Sequence, residues 1–291
     1  MQNNHPFAGH ALALFSVFVW GTTFIATKLL LEVFEPVDIL FYRFLIGYVM
    51  LWILYPHPLH VAEKREELLF FISGASGVTI YFLCENFALT YTYASNVSIL
   101  VATAPFLTGL LSHFITKEKL HRAFLVGFVL SMAGIVLITA NGTLALKLNP
   151  LGDLLALGAS FCWAVYSLTT VMVQKSGYPS IAVTRRIFFY GLITMLPAML
   201  FCGYEWRPDA LFTPSSIGLL LFLGLIASGL CYITWNKALD LLGAVHASVY
   251  IYLVPVVTLV FSFFILDERL TAMSLAGCIL ILAGLFLSQR K

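Results

Sequence analysis

The chain has 291 residues, of which 60% are hydrophobic and only 10% charged, and its formal net charge is +2. Soluble domains carry about 25% charged residues, so water alone cannot wet this surface, and a polytopic membrane protein is the reading that remains. The balance of charge leaves no polybasic arm for nucleic acid.

A membrane helix needs about 20 apolar residues to cross the hydrocarbon layer. Apolar runs between polar or Pro/Gly breaks predict ten spans, near 9–31, 36–55, 67–90, 93–115, 121–140, 151–173, 179–202, 215–239, 244–266 and 271–288. The first run follows "MQNNHPFAGH", which has no positive n-region, and no small-residue cleavage site comes after it. It therefore reads as a retained helix.

Span one carries Trp20 at mid-depth, with Thr23 three residues on along the same face and Lys28 near the outer end, placed to snorkel to the headgroups. Span two opens on Pro36 and holds Arg43 within the hydrocarbon. Span three places Tyr81 and Glu85 on one face, with Asn86 beside them. In span four Asn96 and Thr103 share a face, and Pro105 removes a backbone hydrogen bond mid-helix. Span six repeats the aromatic pattern with Trp163 and Tyr166, and Arg185 and Arg186 open span seven. Tyr232 and Asn236 share a face of span eight, with Trp235 between them. Span nine carries His246, Tyr250 and Pro255. Spans five and ten carry Gly127 with Gly134 and Gly277 with Gly284, a seven-residue spacing that suits close helix packing.

An acidic residue at the centre of a membrane helix costs on the order of 2.5–3.5 kcal/mol, so Glu85 must face the protein interior, a wet cavity or a cation. One reading is an ion pair with Arg43, which lies at similar depth. The other is that Glu85 binds a ligand amine or carries a proton. Trp20 and Trp163 are too deep for an interfacial belt and are read as lining a small-molecule cavity. Asn86 and Asn236 are read as helix-to-helix bonds, and Arg186, like Arg43, as structural, with contact to a ligand carboxylate as the alternative. Pro105 and Pro255 mark kinks that can act as hinges. The five cysteines all fall in apolar segments and read as small buried hydrophobes, with no spacing typical of a metal or haem site.

Lysines and arginines in short loops set the orientation. With both termini in the cytoplasm, Lys64, Arg65, Lys117, Lys119, Arg122, Lys175, Lys237, Arg290 and Lys291 lie inside, whereas only Lys28, Lys147, Arg207 and Arg269 lie outside.

The two halves resemble each other. At an offset of 143, Trp20 falls on Trp163, Pro36 on Pro179 and Arg43 on Arg186. At an offset of 150, Asn86 falls on Asn236, Pro105 on Pro255, Glu118-Lys119-Leu120 on Glu268-Arg269-Leu270, and Gly127 and Gly134 on Gly277 and Gly284. The units are residues 1–145 and 146–291. Five spans is an odd number, so the second unit is inverted: an all-α membrane protein of ten transmembrane helices in two inverted five-helix repeats. The matched turn is basic in the first half ("KEKLHR") and acidic in the second ("DERLTA"), as inversion requires. Inverted repeats place a binding site near the midplane and permit alternating access.

These residues resemble the EamA family of the drug/metabolite transporter superfamily. The resemblance rests on Trp20-Gly21, Arg43, "ALTYTYASNVS" from Ala88, Pro105 and "ITKEKL", then Trp163, Arg186, "ALDLLGAVHAS" from Ala238, Pro255 and "ILDERL". It covers essentially the whole chain, departing where Ala164 replaces the second glycine and where Trp235 stands opposite Glu85. It implies ten helices, an inverted five-plus-five repeat and movement of small metabolites, commonly amino acids or related compounds, often outward. A multi-pass protein of the plasma or inner membrane, acting as monomer or homodimer without a cofactor, is expected. The expected substrate-binding set is Trp20, Thr23, Tyr81, Glu85, Asn96, Thr103, Trp163, Tyr166, Tyr232, Trp235 and Tyr250. Proton-linked uptake of a sugar or carboxylate is the alternative within transport. No G-x-x-x-x-G-K-[ST] loop is present for nucleotide drive. An intramembrane enzyme would need a clustered metal set or a nucleophile with its base; the scattered histidines offer neither, and no catalytic residue or metal ligand is assigned.

The orientation is tested directly by a reporter fused after Lys291, which should behave as cytoplasmic; a periplasmic signal there would overturn it.

Overall fold

The computed structural model describes residues 6–91, 94–117, 121–140, 149–202, 207–265 and 271–288, and every regular element among them is helical. The helices are α1 (Pro6–Leu30), α2 (Pro36–Leu54), α3 (Lys64–Gly74), α4 (Tyr81–Tyr91), α5 (Ala94–Val101), α6 (Ala104–Thr116), α7 (Arg122–Ala140) and α8 (Pro150–Gln174). After them come α9 (Ser180–Cys202), α10 (Pro208–Leu211), α11 (Pro214–Leu221), α12 (Cys231–Leu242), α13 (Ala244–Ser248), α14 (Val254–Ile265) and α15 (Ala272–Ser288). Among the described residues, six helical stretches are long and apolar enough to cross a membrane, Lys64–Ala88 and Pro214–Leu242 among them, and four shorter apolar helices accompany them. The matched turns around Glu118 and Glu268 lie outside the described residues, as do the side chains of Lys28 and Asn96.

Local sequence explains where helices start and stop. Asn149 caps α8, its Oδ1 accepting from the backbone N–H groups of Leu151 and Gly152 at 3.1 Å each, with Pro150 following where no N–H is needed. Thr213 caps α11 in the same way, accepting from Ser216 N at 3.3 Å ahead of Pro214. Gly243, at φ +79, separates α12 from α13.

Four irregularities interrupt the long helices, and they come in matched pairs. The π-helical segment Ala75–Ile80 joins α3 to α4, and a second, Phe222–Leu230, joins α11 to α12. Adding 150 to Ile80 gives Leu230, so both end at the same place in the two halves. A break at Ala102–Thr103 precedes Pro105, and the 3-10 stretch Val249–Leu253 precedes Pro255. Each proline lacks the N–H that would continue an α ladder, and the winding changes just before it. The kinks expected at the two prolines are therefore local rewindings.

Helix contacts recur in the same reciprocal way. Residues of α1 meet the second π segment and α12 in antiparallel register: Trp20 contacts Ala227, and Ser16 contacts Thr234 at 2.8 Å. On the other side α8 meets the first π segment and α4 antiparallel, Thr169 bonding Ser73 at 2.7 Å and Trp163 lying against Tyr81. The most extensive contact is α7 on α15. A Cβ at Gly134 would stand 2.5 Å from Gly277 O, and one at Gly284 2.5 Å from Gly127 O, so only glycine permits this approach. The spaced glycines are thus taken up by a contact within the chain.

Apolar side chains face outward all around. Phe201 is 89% exposed, Leu200 85% and Phe264 74%, a surface suited to hydrocarbon, while Ser16, Ser160, Thr184 and Asn236 are buried. A larger residue at Gly134 should be severe, since the clash is with backbone. Gly134→Leu is expected to lower thermal stability in detergent by about 1–3 kcal/mol or more, and Gly218→Leu, where a Cβ meets nothing within 4 Å, to leave it nearly unchanged.

Candidate functional site

An aromatic cluster of packed rings, here termed the chamber, is built from both halves. The Trp20 ring lies 5.5 Å from Trp163, 5.1 Å from Trp235 and 5.9 Å from Tyr232. Trp163 in turn lies 5.2 Å from Tyr81 and 5.1 Å from Tyr166. Behind these, Phe44 and Phe188 pack on Tyr232 at 5.8 and 5.1 Å. Most of the pairs are tilted or edge-to-face, the arrangements favoured by ring quadrupoles.

The two π segments hold this cluster. The Trp20 indole donates to Ala227 O at 2.9 Å, and the Tyr232 hydroxyl donates to Gly77 O at 3.0 Å. Gly77 and Ala227 stand at equivalent positions of the two halves, 150 residues apart. Each half therefore offers one backbone carbonyl of its rewound segment to an aromatic side chain of the chamber.

Arg43 enters from α2. Its Nε donates to Ser228 Oγ at 2.9 Å, next to Ala227, and its guanidinium lies 5.1 Å from the Phe82 ring and 5.4 Å from Phe44. Glu85, one turn beyond Tyr81 on α4, accepts from the Tyr81 hydroxyl at 3.3 Å. The two charges are near enough to influence each other, yet the described ion pairs are Arg186–Glu67 and Lys237–Asp240. Among the described residues Arg43 and Glu85 form no ion pair with each other, and each bonds a neutral hydroxyl, Ser228 for Arg43 and Tyr81 for Glu85.

Tyr166 and Asn236 form a buried polar knot. The Tyr166 hydroxyl donates to Asn236 Oδ1 at 2.5 Å, Asn236 Nδ2 donates to Thr184 at 2.9 Å, and Gln174 Nε2 donates to Asn236 O at 3.1 Å. That joins α8, α9 and α12. Asn86, its mate in the first half, is only half-buried. Two indole N–H groups of the chamber, Trp163 Nε1 and Trp235 Nε1, are buried without an acceptor among the described residues.

Other expected site residues are placed elsewhere. Tyr250 accepts or donates at 2.6 Å with His10 Nδ1, ten residues down α1 from Trp20, or about 15 Å along the axis. Thr103 turns back on Leu100 O at 2.6 Å in the α5–α6 break, where Ser160 also bonds Leu100 O and Val101 O. The Thr23 hydroxyl likewise returns to Trp20 O at 2.8 Å. Hydroxyls satisfied within their own helix have less to offer a ligand. Asn96 lies outside the described side chains. Arg186 ends on Glu67, which also accepts from Tyr190, and Arg185 donates to the carbonyls of Tyr55 and His57. Nearby, in the loop after α8, Tyr178 donates to Glu66 at 2.7 Å, and that carboxylate holds the phenol above its ordinary pKa.

Sequence reasoning passed over Ser228, Gly77 and Ala227. The signal for the last two was the repeat itself, which pairs two small residues in the third helical stretch of each half.

The fold and this chamber define a polytopic helical membrane protein with an aromatic, charge-bearing centre between its halves. The sequence pattern of the EamA-like transporter family matches residues 7–140 and again 150–289. The chain belongs to the EamA-like transporter family and is not an enzyme. A protein of Archaeoglobus fulgidus described as an "Uncharacterized transporter" is 32% identical over 97% of both chains. The "Probable amino-acid metabolite efflux pump" of Salmonella typhimurium is 29% identical, over 95% of this chain and 93% of that protein, and its Escherichia coli counterpart is 27% identical over the same shares. A solved crystal structure shares the fold at a TM-score of 0.79 and 18% identity, covering 96% of this chain and 95% of its own.

The polar knot predicts an asymmetric response. Asn236→Leu removes the amide that accepts from Tyr166 and donates to Thr184, a cost of about 1–3 kcal/mol for each buried group left without its partner, while the Gln174 bond to the backbone carbonyl of residue 236 remains. It should lower the melting temperature markedly, and Asn86→Leu should lower it less, as measured by thermal unfolding in detergent.

Proposed function

We propose that this protein is a secondary transporter that exports a small amino-acid-like metabolite by alternating access. The carrying observation is the chamber itself: an aromatic cluster from α1, α4, α8 and α12, beside which the buried Arg43 guanidinium lies against Phe44 and Phe82 and bonds Ser228 of the other half. Aromatic lining with few, placed polar groups is what small-molecule sites require.

The mechanism follows from the repeat. Ten helices in two inverted five-helix units would let the halves rock about a fixed central site. The matched π segments and proline rewindings support this reading, since each gives both halves a deformable stretch at the same place. On one side of the chamber the halves are tied together by Glu67 with Arg186 and Tyr190, and by Glu66 with Ser176 and Tyr178. With both termini cytoplasmic these bonds lie at the inner end, and opening inward requires them to part. Export is favoured by the relatives named as amino-acid metabolite efflux pumps.

Cells overproducing the protein should enrich their medium in a specific metabolite relative to deletion cells, and counterflow of that compound in proteoliposomes should follow. No exchange with any screened compound would sink the proposal. Trp163→Ala should reduce counterflow by about tenfold or more while the protein remains monodisperse.

A further inference from the structure

The chamber holds two oppositely charged groups, the buried Arg43 and the half-buried Glu85, that form no ion pair with each other among the described residues, and that is unusual. Buried charges are normally paired, because burial removes the water that stabilised them. Arg43 is 6% exposed, and among the described residues its single hydrogen bond runs from Nε to Ser228 Oγ. A guanidinium carries five donors, so most of its capacity is left over. Glu85 accepts one long bond, 3.3 Å, from Tyr81, although a carboxylate has about four acceptor sites. Tyr81, which bonds Glu85, touches Trp163 with its ring, and the Trp163 indole N–H is buried with no acceptor among the described residues.

We propose that Arg43 and Glu85 are the two poles that choose the ligand's charged ends, Arg43 binding its carboxylate and Glu85 its ammonium. The inference rests on the transport reading above and adds the chemistry of recognition. The ligand is a free zwitterionic amino acid with an apolar side chain: its own dipole fills the gap between the poles, and its side chain lies against Trp20, Trp163 and Tyr232. A planar guanidinium is suited to a carboxylate, with which it forms two parallel bonds. The position of the poles within one half also fits. The repeat mate of Glu85 is Trp235, and the mate of Arg43, Arg186, is engaged by Glu67. The second half therefore has no equivalent pair, and the site has one polarity.

The test uses the full chain, purified and in proteoliposomes, with L-phenylalanine, its amide (no carboxylate) and its N-acetyl form (no ammonium) as probes. Wild type should bind phenylalanine about tenfold or more tightly than either derivative, because each derivative leaves one buried charge unmet. Arg43→Gln should erase the preference over the amide and keep the preference over the N-acetyl form. Glu85→Gln should do the reverse. The crossed pattern is what a merely structural role would not produce. If wild type treats the three probes alike, or if each variant weakens all three equally, the inference is overturned. Should Arg43→Gln fail to fold, the wild-type series and the near-isosteric Glu85→Gln arm still decide. Counterflow of a compound lacking either charge, by a protein indifferent to free phenylalanine and leucine, would overturn this inference and leave the transport reading standing.

Discussion

Backbone polar groups inside a bilayer have no water to turn to, so every departure from the α ladder must find a partner within the protein. Two of this molecule's departures, the π segments Ala75–Ile80 and Phe222–Leu230 at matched positions of the two halves, meet the demand in the same way. Gly77 O receives the Tyr232 hydroxyl and Ala227 O receives the Trp20 indole. The donors are the aromatic side chains that form the chamber. One constraint thus does two jobs: satisfying the rewound backbone also fixes the orientation of the rings that wall the centre. Ser228, the next residue, then offers its hydroxyl to Arg43 and brings the guanidinium to the same place.

The arrangement is symmetric in scaffold and asymmetric in chemistry. Trp20 and Trp163 occupy matched positions and touch each other. Pro105 and Pro255 both follow a rewound stretch, and the four glycines of α7 and α15 face each other in antiparallel register. Yet Asn236 is the hub of a buried knot, whereas Asn86 is half-buried, and Arg43 lies in the chamber while Arg186 lies at the rim with Glu67. Packing demands similar shapes from both halves because they face each other. Charge is under no such demand, and a single central ligand is itself asymmetric.

How far residues could be read from sequence depended on whether their role was local. Glu85 stood out because an acid in hydrocarbon must have a reason, and Trp20 with Trp163 because mid-depth tryptophans in matched helices are not an interfacial belt. At α-helical spacing His246 and Tyr250 are expected to share one face of the ninth span. Val249–Leu253 winds as a 3-10 helix, about three residues per turn, so the face inferred at 3.6 residues per turn is not the face that exists. Tyr250 instead reaches His10. The Thr103 and Thr23 hydroxyls donate to carbonyls of their own helices, a local contact that the choice of face alone does not reveal.

The sequence by itself determined the helical membrane class, the approximate extent of each apolar helix, the pairing of residues between halves and the residues too costly to bury without purpose. Length and hydropathy govern bilayer insertion, and both are written along the chain. The tertiary structure alone decided which partner each polar group took. Arg43 and Ser228 are 185 residues apart, and Tyr166 and Asn236 are 70 apart, so no local rule relates them. The depth and rotation of one helix against another set those contacts.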